Sequence, residues 1–371
     1  MSSNTRKIDV LIVGAFKHKK GGATGGVLFA CKSLIESRLK EKINWIKVDS
    51  TGSIPPPNVF WRAIKAAKRV FLFLFFLITR WNIKSVILFS SSDASFVEKG
   101  IMCLIAKGWG KRVLFAPRSG SILINFESKR FRIFGKYVLK KADIVICQGQ
   151  SWKDYFLKLC DGESKPDKFV VIHNWINSAE YKKKEVSNVV VKETVFLFLG
   201  WTIKDKGLFD IIEAARVLKE KNFFVKVIIA GDGIDRFAAE KLVKEIELDQ
   251  FISFVGWVQG EKKHKMLMEA DVFILPSYFE GFPNSVLEAM ASGLPVIVTD
   301  VGAVTELVDG TTGLIVTAGD VNKIVDAMIL YCENTNLRVE HGDNGYFRIK
   351  NNFDIDSAVV KFEEILVKNN L

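Results

Sequence analysis

Twelve short apolar runs rich in β-branched and aromatic residues recur along the chain, most of them followed by a longer amphipathic stretch. In the first half the expected strands are Asp9–Val13, Trp45–Val48, Ser85–Phe89, Val113–Phe115, Ile144–Cys147 and Phe169–Ile172. Helices are predicted between them over Gly26–Leu39, Ala94–Lys107, Arg130–Lys140 and Trp152–Leu159. The rhythm restarts with Thr194–Leu199, Val225–Ala230, Ile252–Val255, Val272–Leu275, Val296–Val298 and Gly313–Val316. Strands that alternate with helices imply parallel sheets covered on both faces. A length of 371 residues is about twice that of a typical domain. The polar stretch Ser178–Glu193, with Lys182, Lys183 and Lys184 in a row, is the expected linker. Two doubly wound α/β domains are therefore predicted, over 1–175 and 176–355, with ligands at the carboxyl ends of their strands.

The charge is unevenly shared. Residues 1–175 hold 31 Lys/Arg against 12 Asp/Glu, a net of +19, within a whole-chain charge of +11. Such asymmetry suggests that the first half meets an anionic partner; a set of solvated basic helix faces is the alternative. No zinc knuckle, RNP motif or helix-turn-helix pattern is present, so nucleic acid is not the expected partner. The five cysteines are scattered, with no CxxC pair, which fits a reducing compartment. Seven polar residues run directly into the first strand and no signal peptide is visible, so the expected location is the cytoplasm.

One segment stands out. Phe60–Lys84 contains the run VFLFLFFLI (Val70–Ile78), flanked by Arg62, Lys65, Lys68 and Arg69 on one side and by Arg80 and Lys84 on the other. The run is too short to span a bilayer, which takes ~20 apolar residues. A basic, aromatic-rich helix of this kind can lie in the interface of an anionic membrane, with Phe73 and Phe76 as its apolar contacts. A buried helix with basic ends is the competing reading.

The richest stretch is Pro276–Val298, PSYFEGFPNSVLEAMASGLPVIV. Glu280 lies in the turn after a strand, Phe282-Pro283 opens a helix with proline suited to its first turn, and Glu288 follows about two turns later. The helix start offers backbone N–H groups at Asn284 and Ser285 to a pyrophosphate, while carboxylates accept hydrogen bonds from vicinal sugar hydroxyls. In this context the chain resembles the retaining glycosyltransferases of the two-domain GT-B fold, family 4, with their Glu-x7-Glu motif. The resemblance covers essentially the whole chain. It implies two Rossmann-like domains facing across a cleft, with a C-terminal helix (about 356–371) packing back on the first. It also implies that Glu288 binds the ribose and that Glu280 contacts the transferred sugar in a pocket shaped by the backbone of Gly281, Phe282 and Pro283.

Other stretches match in order. GWTIKDKG (Gly200–Gly207) resembles the family's diphosphate-binding turn. Lys206 fits its lysine position, where an ammonium neutralises the leaving group, while Trp201 takes the place of the usual arginine. GDG (Gly231–Gly233) matches a turn at the cleft, although a plain tight turn would look the same. FVGWV (Phe254–Val258) resembles the segment bordering the base, with Trp257 and Val258 as candidate contacts; packing alone would also account for a Trp here. GGATGG (Gly21–Gly26), including Gly22, matches a glycine-rich loop near the donor phosphates. In APRSGS (Ala116–Ser121), Arg118 takes a position that many members fill with His, and suits a phosphate, an acidic acceptor or a structural salt bridge. Asn174 in HNW is read as a hinge or structural residue.

No histidines pair at metal-ligand spacing, and the one Asp-x-Asp, Asp354 and Asp356, lies at the far C-terminus. No metal or cofactor is expected. The resemblance implies a hexose transferred with retention from a nucleotide-sugar donor to a glycan or lipid-linked acceptor, in bacterial surface-polysaccharide assembly. The catalytic set would be Glu280, Lys206 and Arg118, at a cytoplasmic or peripheral inner-membrane location. The missing arginine and histidine keep open a non-catalytic nucleotide-sugar-binding subunit. Two further alternatives, an epimerase or a phosphorylase of the same fold, and a nicotinamide-dependent oxidoreductase, lack supporting motifs.

Overall fold

The computed structural model describes residues 7–17, 26–52, 58–91, 93–184 and 193–367. The chain divides into two compact units, Met1–Asn174 with Ile355–Leu371, and Trp175–Asp354.

The first unit runs β1 (Ile8–Gly14), α1 (Gly26–Glu36), β2 (Ile43–Asp49), α2 (Val59–Thr79), β3 (Ser85–Ser90), α3 (Asp93–Gly108) and β4 (Arg112–Pro117). It continues with α4 (Ser121–Asn125), α5 (Lys129–Lys141), β5 (Ile144–Cys147), α6 (Gln150–Leu159) and β6 (Phe169–Val171). Its six strands are parallel, in the order β2-β1-β3-β4-β5-β6. The central strand β3, SVILFS, is buried at all six positions, as a strand covered on both faces must be. The edge strand β2 alternates buried and open positions instead. The right-handed crossover rule puts α1 on one face and α2, α3, α5 and α6 on the other. The packing agrees, with α2 against α3 and α3 against α5. Under the second layer Phe96 meets the rings of Phe115, Phe126 and Phe131 at centroid distances of 5.1–5.8 Å. Gly135 lets α5 close onto this cluster, because a Cβ there would sit 2.3 Å from a ring atom of Phe126.

The second unit runs β7 (Thr194–Leu199), α7 (Leu208–Glu220), β8 (Val225–Ala230), α8 (Arg236–Glu245), β9 (Ile252–Phe254), α9 (Glu261–Glu269) and β10 (Val272–Leu275). Then follow α10 (Asn284–Ala291), β11 (Val296–Thr299), α11 (Val304–Leu307), β12 (Gly313–Val316), α12 (Val321–Glu333) and α13 (Thr335–Asn352). Its parallel sheet is ordered β12-β11-β10-β7-β8-β9, so the strand order reverses between β7 and β10. Ligands of such sheets sit at that switch point, beyond the carboxyl ends of the strands.

A last helix, α14 (Ile355–Leu366), belongs to the first unit and lies against α1. Glu363 pairs with Lys42 and Arg38, and Arg112 Nη1 donates to the Ile365 carbonyl at 2.5 Å. The change of unit after Asn174 comes ahead of the expected linker. The start of that segment is instead fastened to the second unit: Ser178 donates to Asp354, and Lys184 Nζ lies 2.9 Å from Asp271. The helix predicted over Gly26–Leu39 ends at Glu36, and a 3-10 turn over Arg38–Glu41, capped by Ser37, completes it.

In α2, Phe73 and Leu77 are buried. Phe73 is thus a core residue, not an apolar surface contact; the side chains that face outward are its neighbours Phe71 and Phe75.

Candidate active site

The loops that follow β7, β8, β9 and β10, together with helix α10, carry the residues singled out in the second unit. After β7 the chain makes a 3-10 turn over Lys204–Lys206 and enters α7 through Gly207, whose φ of 72° is left-handed. A Cβ at Gly207 would stand 2.2 Å from the Pro276 carbonyl oxygen, so glycine is what allows this turn to touch the loop after β10. The contact is reinforced by Tyr278 N–H donating to the Asp205 carbonyl at 2.9 Å. On its other side the loop is held by the segment after β11. Thr299 donates to the Ser277 carbonyl at 2.5 Å, and Ala303 N–H to that of Gly281 at 3.1 Å. Gly302 is pressed against the Glu280 main chain.

This pinned loop fixes Glu280. Its Oε1 accepts from Lys206 Nζ at 2.5 Å and from Ser277 Oγ at 2.9 Å, and its side chain is largely buried. The lysine and the carboxylate come from the two strands between which the sheet order reverses. Glu288, on α10, is held separately. Lys263 Nζ of α9 lies 2.7 Å from its Oε1. Tyr181 is buried near that carboxylate; burial first, and then the Glu288 charge, push its phenol far above its ordinary range. The ring of His264 lies 4.7 Å from that of Tyr181.

The helix start differs from expectation in one detail. Pro283 occupies the N-cap position, with φ −75° and ψ 119°, and the helix begins at Asn284, followed by Ser285. The Phe282 ring packs on Phe353 at 5.4 Å, so it is turned into the core and only its main chain can line a pocket with Gly281. Trp201 packs against Trp257 with centroids 5.3 Å apart. The Trp257 Nε1 and the Thr202 hydroxyl are buried without a hydrogen-bond partner among the described residues. Val258, next in chain, is buried. Lys204 is exposed, and its backbone N–H is taken by Asp235 at 2.7 Å.

Arg118 lies in the first unit, after β4. Its Nη1 donates to Asn174 Oδ1 at 2.8 Å, Gln148 donates to the same oxygen at 2.9 Å, and the guanidinium lies over the Phe89 ring. Desolvation lowers its pKa to about 10. Gly22 falls outside the described residues. Asp354 accepts from the backbone and hydroxyl of Ser178. Among the described residues no group of three or more His, Cys, Asp or Glu could hold a metal ion.

Lys263, Ser277 and Tyr181 were not visible in the sequence as site residues. Lys263 is one of three lysines in EKKHK, and only the helix phase distinguishes it.

Residues 180–348, which contain every second-unit residue named above from Tyr181 to Gly302, match the family model described as glycosyl transferases group 1. The chain belongs to that family. It is 30% identical over 271 residues to an uncharacterized 41.2 kDa protein in the cps region of Klebsiella pneumoniae, covering 69% of this chain and 72% of that one. It is 27% identical to the capsular polysaccharide biosynthesis glycosyltransferase CapM of Staphylococcus aureus, over 64% of this chain and 65% of the relative. Among solved structures, sucrose-phosphate synthase from Thermosynechococcus elongatus superposes with a TM-score of 0.81 at 17% identity, over 98% of this chain and 99% of that one. Anabaena HepE, solved with UDP and glucose, gives 0.73 at 16% identity, over 97% and 99%. The fold of this group 1 glycosyltransferase is GT-B.

Proposed function

We propose that the protein transfers a hexose from a nucleotide-sugar donor to a glycan or lipid-linked acceptor with retention of configuration, in the assembly of a bacterial surface polysaccharide. The observation that carries this reading is the pair of lysine-bound carboxylates, Lys206–Glu280 and Lys263–Glu288, the first on loops after β7 and β10 and the second on helices α9 and α10 of the same unit. The name of the Staphylococcus aureus relative supports the polysaccharide setting, and the UDP and glucose bound to Anabaena HepE support the donor class.

In this reading Glu288, held by Lys263, accepts hydrogen bonds from the ribose. Glu280 accepts from hydroxyls of the hexose. Lys206 faces the diphosphate and neutralises charge as the glycosidic bond breaks, while the start of α10 offers its dipole to the same group. Two glutamates and two lysines cancel, so the site itself adds no net charge, and Trp201 adds none where the family places an arginine. Trp201 and Trp257 supply an apolar wall for the base instead. The leaving diphosphate takes the acceptor's proton, and Lys206 with the start of α10 carries the neutralisation without a metal. Arg118, with its hydrogen bond to Asn174, binds an acceptor or phosphate oxygen from the first unit.

The test is donor hydrolysis across UDP-, GDP-, ADP- and CMP-sugars, for the parent and for Glu288→Ala. Turnover of one donor that vanishes in the variant is expected. Binding without turnover, in the presence of candidate acceptors, would favour a nucleotide-sugar-binding subunit that performs no transfer.

A further inference from the structure

The first unit carries an outer surface that neither its core nor the donor site uses. No carboxylate occurs anywhere between Asp49 and Asp93, a stretch that includes all of α2. The inner side of α2 is ordinary: Phe73 and Leu77 are buried, and Arg69 makes a two-pronged ion pair with Glu98 of α3 at 2.6 and 2.8 Å. The outer side is the anomaly. Phe60, Ile64, Phe71, Phe75 and Ile78 follow one another at intervals of 4, 7, 4 and 3, which places them on a single stripe of the helix. They are 42–71% exposed, and Trp81 just beyond the helix is 80% exposed. The neighbouring helices extend the stripe with Val97 and Ile101 of α3 and with Ile133 and Tyr137 of α5, all exposed.

Apolar groups laid open in this number mark an interaction surface, and the charges around them say of what kind. Arg62, Lys65, Lys68 and Arg80 are exposed, and none of them makes a salt bridge among the described residues. Lys129 and Arg130 add cations at the start of α5, a helix that also lacks any carboxylate. A second copy of the chain would bring this basic surface against itself, because a twofold interface pairs a patch with the same patch. Nucleic acid would suit the cations but leave the aliphatic and aromatic stripe in water. An anionic bilayer suits both: headgroups meet the cations while the rings enter the acyl boundary, with Trp81 at headgroup level. No helix among the described residues is long and apolar enough to cross a membrane. The inner side of α2 is moreover committed to the protein core.

We propose that the outer face of α2, continued by α3 and α5, docks the protein flat on an anionic lipid surface, with the helix axis in the plane of the interface. The docking is independent of the donor chemistry, since no residue of the second unit takes part, but it brings the enzyme to where a lipid-linked acceptor is found.

The experiment is co-sedimentation of the full chain with vesicles of phosphatidylcholine alone or with about one third phosphatidylglycerol. Two double variants accompany the parent: Phe71→Ser with Phe75→Ser, and Lys65→Glu with Lys68→Glu. All four positions are exposed, so melting temperature and nucleotide binding in vesicle-free buffer should match the parent. The parent is expected to partition onto the anionic vesicles about tenfold or more better than onto neutral ones, and each variant to lose about tenfold or more. Raising salt to 1 M, where the Debye length shrinks to ~3 Å, should weaken the parent and leave the charge variant little changed. No binding by the parent to anionic vesicles overturns the proposal, as does equal binding by the variants. A parent that ignores vesicles but forms dimers, dissociated by the two serines, would show that a second copy covers the face. Donor hydrolysis without vesicles reports separately on the donor site.

Discussion

Lys206 and Glu280 form an ion pair, Nζ 2.5 Å from Oε1, although 74 residues separate them, and the pair spans the point where the strand order of the second sheet reverses. A group fixed in this way costs no reorganisation when charge develops on a leaving diphosphate. Lys206→Met should lower kcat about 10²–10³-fold, in the range found when one stabilising donor is removed from an active site. Adding Glu280→Gln should cost far less than the product of the two single effects, since the residues act as a unit. Steady-state kinetics of the three variants checks this. An unchanged kcat in Lys206→Met would reduce the pair to a structural clamp.

Lys263 Nζ lies 2.7 Å from Glu288 Oε1, with both side chains mostly buried. Removing the ammonium leaves the carboxylate one donor short in a partly buried place. A hydrogen bond to a charged group contributes about 1.5–3 kcal/mol. Lys263→Met should therefore raise the donor KM about tenfold or more and leave kcat within about a factor of three. Isothermal titration with the nucleoside diphosphate should show the same loss of affinity.

Gly207 combines a positive φ with the Pro276 carbonyl where a Cβ would be. The left-handed conformation costs an alanine about 1–2 kcal/mol, and the clash adds to it. Gly207→Ala should destabilise the fold by more than about 2 kcal/mol in urea unfolding. It should also impair turnover, because the turn carries Lys206.

His341 is buried on α13, its Nδ1 2.8 Å from the Tyr331 hydroxyl. Burial holds its pKa below the ordinary 6.5, so the folded state keeps it neutral while the unfolded chain takes up a proton as pH drops. The unfolded state then binds more protons, and stability falls with pH below about 6.5. The melting temperature should decline between pH 7 and pH 5.5, and this part of the decline should disappear in His341→Gln.

Twelve strands were legible because parallel strands buried on both faces read as continuous apolar runs, with β5, β7, β8, β10 and β12 matching residue for residue. Boundaries set by caps were less so: the 3-10 turn after α1 and the N-cap role of Pro283 depend on local geometry that periodicity does not encode. Glu280, Glu288 and Lys206 could be named from motif spacing. Their neighbours Ser277, Lys263 and Tyr181 could not, since what selects them is distance across the fold. In α2 the apolar composition was plain, but which phenylalanines face inward was not. Nine consecutive apolar residues carry no phase, and it is the packing of α2 on the rest of the unit, α3 and β2 among it, that leaves Phe73 inside and Phe71 outside.

The return of α14 to the first unit has a consequence for how the protein is made. Its helix face against α1, its glutamate for Lys42 and Arg38 and its carbonyl for Arg112 reach the first unit only after the entire second unit has been synthesised. About 180 residues separate Asn174 from Ile355, which takes a ribosome roughly 10–40 s at ~5–20 residues per second. For that interval the nascent first unit exposes the apolar side of α1 that α14 will cover. The second unit, continuous in sequence, is free to finish folding before the first.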